Sequence, residues 1–323
     1  MNTSPCAPVL LTVFNRPHET RQVLARLKDV RPEKIFVAAD GPREGKPEDQ
    51  YLCDEVRRMV AQEITWPAAV NTDFAAENLG LRRRMASAVS WALEHEDRVI
   101  VLEDDCLPTA SFFRFCTELL EHYRHDHRVG VVTGDNFQPE GFARPASYYF
   151  SRYPHCWGWA TWRRAWDLYN DGMSDWPEVR ESGWLRDLFP HALEELYWRQ
   201  IFDKTYRGEI QSWAYRWTYS CWRHDLLTAT PIRNLVTNIG TGAAASNTRD
   251  PEQGKHGLEA CALNFPLVHP IDVARDLTAD DHAQQRAFGR AKDRSLRARF
   301  SRSLSKIEKL LRFLECPSRK CHV

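Results

Sequence analysis

The chain has no excess charge of either sign, no paired cysteine motif and no long apolar run. Its 44 basic side chains balance 44 acidic ones over 323 residues, which removes the general electrostatic argument for nucleic acid as a partner. The nine cysteines (Cys6, Cys53, Cys106, Cys116, Cys156, Cys221, Cys261, Cys316 and Cys321) are odd in number and scattered without a C-x-x-C pair. Neither a disulfide framework nor a thiolate zinc site is therefore expected, and a reducing, cytoplasmic compartment suits them. No stretch approaches the ~20 apolar residues that cross a bilayer. The opening MNTSPCAPVLLTVFNRP lacks a basic n-region, and its apolar run stops at Asn15, Arg16 and Pro17, so it does not read as a signal peptide. Repeats and low-complexity tracts are also missing.

What is present is an ordinary apolar fraction and a length that suits one large α/β domain with an appendage. Short β-branched runs alternate with helical patterns. PVLLTVF, KIFVAAD, a weaker AAVNTDF and RVIVLED read as strands, with HETRQVLARLKDV, YLCDEVRRMVAQEI and LRRRMASAVSWALEH as the helices between them. This order predicts a mainly parallel central sheet flanked by helices, with ligands bound beyond the carboxyl ends of the strands.

The polar residues after the strands then converge on one rim: Asn15-Arg16-Pro17 after the first, Asp40-Gly41-Pro42-Arg43 after the second, and Glu103-Asp104-Asp105 after the strongest. A cluster of acids ahead of Pro108 and Thr109 also suits a plain helix start, with negative charge near the positive end of the dipole. Carboxylates on a parallel-strand end, with no His or Cys pair of metal spacing, favour a hard divalent ion, Mn²⁺ or Mg²⁺, that leaves positions open for phosphate oxygens. Asp105, farthest out of the strand, is the expected metal ligand. Strand alternation sends Glu103 and Asp105 to one face and Asp104 to the other, leaving one of them to orient sugar or ribose hydroxyls.

Ten of the twelve Trp fall between Tyr148 and Arg223. They serve either as a Trp-rich core layer or as a wall against the apolar faces of sugar rings, and one set of residues can do both. Beyond Asp250 the pattern thins. From Asp281 to Phe313 a basic stretch places Leu296, Phe300, Leu304, Ile307 and Leu311 at helical spacing, which suits a helix docked on its own domain or one lying on an anionic membrane surface.

The succession TVFNRP, VAADGPR, ENLGLRRRMASAVSWAL, VIVLEDDCLPTASFFRF and VGVVTGDN resembles the GT-A glycosyltransferases. The resemblance is closest to the bacterial family-2-like transferases and their relatives of the N-acetylglucosaminyltransferase I type, and runs from Pro8 to Gly242. It implies a GT-A domain over residues 1–250, with a nucleotide-binding half over 1–140 and a Trp-rich acceptor half over 141–250, followed by an extension over 251–323. It implies transfer of a hexose-type sugar from a nucleotide-diphosphate donor, UDP-linked by expectation, to a glycan or lipid-linked acceptor. The reaction would be inverting and metal-dependent, would serve bacterial surface polysaccharide synthesis, and would take place in the cytoplasm with possible contact at the inner membrane face. Carried over by position, Arg16 contacts the nucleotide or phosphate, Asp40 the base or ribose, and Asn78, Gly80 and Arg82 belong to the loop over the nucleotide. Glu103, Asp104 and Asp105 match the motif that holds metal and sugar nucleotide. Trp157, Gly158, Trp159 and Trp162, with Trp213 of the SWAYRW element, match the stretch that walls donor sugar and acceptor.

Two positions depart from the family pattern. SWAYRW has Ala214 where relatives carry the Asp that deprotonates the acceptor, and Asn247-Thr248 stands where relatives continue with His-Thr. An inverting transfer needs a base within hydrogen-bond reach of the acceptor hydroxyl, and Glu209 and Asp203 are the nearest substitutes. The rival readings are a metal-dependent nucleotidyltransferase or phosphodiesterase, and a sugar-nucleotide-binding relative that has lost catalysis.

Overall fold

The computed structural model describes residues 5–139, 141–189, 191–240 and 258–288. The first four strands are β1 (Val9–Val13), β2 (Lys34–Ala39), β3 (Ala69–Phe74) and β4 (Arg98–Glu103), joined by α1 (Pro17–Val30), α2 (Pro47–Glu63) and α3 (Gly80–His95). β1, β2 and β4 are buried apolar runs, as strands covered on both faces must be. β3 carries Asn71, Thr72 and Asp73, is largely exposed, and takes the edge.

The chain continues through β5 (Cys106–Pro108), α4 (Ala110–His122), β6 (Val129–Thr133), β7 (Tyr148–Ser151) and β8 (Trp159–Trp162). Five helices follow: α5 (Arg163–Trp166), α6 (Trp176–Glu181), α7 (Trp184–Leu188), α8 (Ala192–Tyr206) and α9 (Trp213–Arg223). Then come β9 (Leu227–Pro231), β10 (Val236–Asn238) and α10 (Leu277–Ala283), which runs into a π-helical turn over Gln284–Phe288. Among the described residues no helix is long and apolar enough to cross a membrane. Most of the basic stretch expected as a helix, and Asn247 and Thr248, lie outside the described residues.

The result is a mixed α/β fold with a large central sheet flanked by helices. Eight strands run in the order β3-β2-β1-β4-β8-β6-β9-β7. The first four are mutually parallel, β8 is antiparallel to both β4 and β6, β9 is parallel to β6, and β7 is antiparallel to β9. The boundary expected near residue 140 falls between two strands of this one sheet. Strand alternation divides the core. Val9, Leu11, Val13, Ile35 and Val37 face α1, α2 and α4, whereas Leu10, Phe36, Ala38, Val99 and Val101 face α3 and the Trp-rich helices.

Two features of this topology position the site. The chain steps outward from β1 to β2 to β3, and α3 then returns it to β4 on the other side of β1. The reversal opens a crevice at the carboxyl ends of β1 and β4, where doubly wound sheets bind ligands. The second is a two-stranded sheet in which β10 lies antiparallel to β5, with Asn238 opposite Cys106. Beside it, the Cγ2 methyl of Val236 fills space that two glycines leave open: a Cβ on Gly134 would lie 2.5 Å from it and one on Gly158 2.7 Å.

Residues 258–263 return over this end of the molecule. Cys261 donates its N–H to the Asn234 carbonyl at 2.7 Å, and Leu263 donates to Ser111 Oγ at 3.1 Å.

Candidate functional site

Arg16, the residue before α1, is held by its own carbonyl, which accepts the Thr20 N–H at 3.0 Å and the Thr20 hydroxyl at 2.7 Å. From that base its guanidinium crosses to the end of β4. Nη1 lies 2.5 Å from Asp105 Oδ2 and 3.4 Å from Asp104 Oδ1. Asp104 is buried and also accepts the Phe14 N–H on Oδ2 at 3.2 Å. Burial is the main force raising the Asp104 carboxyl to about 7, against the pull of Arg16. Burial, followed by the charges of Asp105 and Asp104, raises Glu103 to about 8.

β4 ends at Glu103, and Asp104-Asp105 form a turn into β5. The strict alternation expected of the three acids is therefore broken. Glu103 and Asp104 line the crevice, while Asp105 turns toward Arg16 and Gly240. The peptide of Asp105 is fixed by Ile239, whose N–H donates to the Asp105 carbonyl at 2.8 Å. A Cβ on Gly240 would sit 2.0 Å from Asp105 Oδ2, so the carboxylate occupies room that only glycine leaves. The three-residue strand β5 separates the acids from α4, which excludes the plain helix-start explanation of the cluster.

Asp40, at the end of β2, spends its carboxylate on the chain itself. It accepts N–H groups from Gly41 at 2.9 Å, Leu79 at 2.8 Å and Gly80 at 3.0 Å, and Asn78 Nδ2 at 3.1 Å. Asp40 thus caps the positive end of α3, taking the N–H groups of Leu79 and Gly80 at its start. Gly41 permits the approach, since a Cβ there would lie 2.3 Å from the Glu77 carbonyl carbon.

Arg16, Asp40, Asn78, Gly80, Glu103 and Asp104 line one cleft of about 250 Å³, together with Thr12, Val13, Phe14, Arg43, Leu81, Arg84 and Met85. Six of the sequence-expected nucleotide residues thus share one wall system. Arg82 does not join them; it turns away to Asp171, with Nη2 2.6 Å from Oδ2, and to Gln211. A larger cavity of about 880 Å³ opens near the start of β1 and β4, lined by Cys6, Arg31, Arg98, Arg114, His122 and His269 among others, and contains none of the expected residues.

The Trp wall needs correction. Trp159, Trp162 and Trp213 are 1, 3 and 2 % exposed, and Trp159 stacks on Trp213 with centroids 5.4 Å apart. Their faces are spent on protein, so these three form the core layer; Trp157 alone of the expected tryptophans stays partly exposed. Gly158 serves backbone geometry, with φ +70° beside Val236.

The expected bases also lie elsewhere. Asp203, on α8, accepts Trp176 Nε1 at 3.1 Å and pairs with Arg180 at 2.9 Å. Glu209 sits on an exposed turn, paired with Arg207 at 2.6 Å, which holds its carboxyl below the usual range. Neither lines the cleft.

One carboxylate at this rim was not singled out from the sequence. Asp135, buried just after β6, accepts the Trp157 N–H at 2.8 Å and adds to the field that raises the Cys106 thiol. Its position in VGVVTGDN after an apolar strand was the available signal.

No family model matches the chain, and no curated protein matches it. Among solved structures it is similar to the crystal structure of a glycosyltransferase involved in the glycosylation of the major capsid of PBCV-1. The two are 12 % identical over 60 % of this chain and 74 % of that one, with a TM-score of 0.27.

Proposed function

We propose that the chain is a GT-A-type glycosyltransferase, inverting, which binds a nucleotide-diphosphate sugar in the cleft between β1 and β4 and transfers the sugar to a glycan or lipid-linked acceptor. The observation that carries this reading is the convergence of Arg16, Asp40, Asn78, Glu103 and Asp104 on the crevice where the strand order reverses, with Asp105 joined to it through Arg16. The cleft is graded in a way that suits such a donor. Val13, Phe14, Leu81 and Met85 supply an apolar region for a flat base, and Arg16 with the acids supplies a charged end for the diphosphate.

The donor set fits a divalent ion that comes with its own phosphate oxygens. Asp104 and Asp105 present carboxylate oxygens around one cationic group, the Arg16 guanidinium. Mn²⁺ or Mg²⁺ held by one or two carboxylates suits this set. Such an ion, when bound, neutralises charge on the departing diphosphate. The chain's own residues do the rest: Asp40 holds the loop of Asn78 to Gly80 against the cleft, and the buried strand ends exclude water from its floor.

The test is a thermal-shift screen of nucleoside diphosphates with Mn²⁺ or Mg²⁺. UDP with Mn²⁺ is expected to raise the melting temperature by mass action, and chelator to remove the shift. A flat response to every nucleotide and ion would remove the reading.

A further inference from the structure

The Arg16 guanidinium has its two carboxylate partners on the same turn, Asp105 at 2.5 Å and Asp104 at 3.4 Å, in a setting where all three side chains are at least three-quarters buried. It reaches them from a backbone pinned by Thr20. Asp105 in turn is pinned by Ile239 and confined by Gly240. The pair is thus built from two fixed ends. Among the described residues no group of three or more His, Cys, Asp or Glu side chains could hold a metal ion. A bare ion entering here would find two carboxylates already paired with one arginine, whose positive charge repels it.

We propose that Arg16 is a resident counter-ion that turns away a bare divalent cation, so that the site takes up the ion and a diphosphate together. The proposal rests on the nucleotide reading above. A diphosphate changes the balance in two ways at once: it brings oxygens that complete the ion's coordination, and it offers Arg16 a new anionic partner for its planar fork. Each ligand therefore raises the affinity for the other, and the coupling is reciprocal. Arg16 then sets the order of loading, and free metal in the surrounding solution does not occupy the site on its own.

The experiment is a Mn²⁺ titration of the full chain, read by the paramagnetic resonance signal of free Mn²⁺, with and without UDP. Wild type is expected to bind Mn²⁺ at least about tenfold more weakly without UDP than with it, a coupling of ordinary size. Arg16→Gln is expected to bind Mn²⁺ alone at least about tenfold more tightly than wild type and to lose most of the UDP dependence. Arg16→Lys, which keeps the positive charge, should stay near wild type. The Arg16→Gln, Asp105→Asn double variant should lose the gained uptake, which ties it to this pair; circular dichroism melts confirm that each variant is folded. Equal Mn²⁺ affinity of wild type and Arg16→Gln without UDP, or a double variant that keeps the gain, overturns the proposal and leaves the nucleotide reading standing. Absence of UDP binding by wild type at any Mn²⁺ concentration removes the nucleotide reading itself.

Discussion

The Asp40 carboxylate caps the helix that begins at Gly80, accepting the Gly80 N–H on Oδ2 at 3.0 Å while Oδ1 takes the Leu79 N–H at 2.8 Å. A residue expected to touch the nucleotide is thereby engaged in holding the loop that borders it. Asp40→Asn sets an amide donor against N–H donors and is expected to cost about 1–3 kcal/mol, the usual penalty for an unsatisfied buried group. Urea unfolding measures that loss. UDP affinity should fall with it, and should recover in no variant that leaves the loop unlatched.

Gly240→Ala is the complementary change, because it disturbs Asp105 without touching the sheet. The new Cβ would lie 2.0 Å from Asp105 Oδ2, so the carboxylate must move off Arg16. Metal-dependent UDP binding is expected to drop at least about tenfold, the scale set by a displaced charged partner. The melting temperature without ligand should change little.

Trp213 and Trp157 separate core from wall. Trp213→Ala removes a ring stacked on Trp159 and is expected to cost about 3–5 kcal/mol. Trp157→Ala should cost less than half of that in the same urea experiment, since part of its ring is already in water. A ligand-dependent effect, measured as a lost thermal shift with donor, is expected only for Trp157.

Glu209→Gln and Asp203→Asn are expected to leave donor turnover within about twofold of wild type, because a base acts only from hydrogen-bond reach and both side chains lie off the cleft. Radiolabelled-donor assays with an acceptor extract read this directly. A hundredfold loss in either variant would return it to the role that the Ala214 position first suggested.

Asp49 gives a pH dependence of known sign. Hydrogen bonds from Arg43, and a further one from Asn15, hold its carboxyl at about 2, below the ordinary value of 3.8. A carboxyl lowered on folding contributes stability above its unfolded pKa, and that contribution is lost as pH falls from about 4 toward 2. Asp49→Asn should therefore be less stable than wild type at pH 7. The two unfolding curves should converge near pH 2.

The parts of this fold that could be read in advance are those with a local signature. Continuous apolar runs marked β1, β2 and β4, the polar run of Asn71 to Asp73 marked a weak strand, and the residues after the strands fell on one rim because parallel strands end together. The turn at Asp104-Asp105 could not be read that way, since alternation holds only while the strand lasts. The partner of Arg82, Asp171, lies 89 residues away, and nothing near Arg82 in the chain signals it. The tryptophans were visible as a cluster, but composition does not say which faces are already covered, and the stacking of Trp159 on Trp213 joins residues far apart in sequence. Asp135 was hidden for a different reason: a single acid after a strand looks the same whether it faces solvent or is buried under a neighbouring peptide.

The methyl of Val236 that sits over both Gly134 and Gly158 joins the exit of β6 to the entries of β8 and β10 through one small group. Drift at these three positions is therefore constrained jointly. A side chain at Gly134 becomes tolerable only after both Val236 and the Phe112 ring give way, whereas at Gly158, with φ +70°, a side chain is strained whatever the space. Homologues of this chain should keep glycine at 158 and show positions 134 and 236 changing together, and a library randomising that pair should recover folded members mainly where the combined volume is conserved.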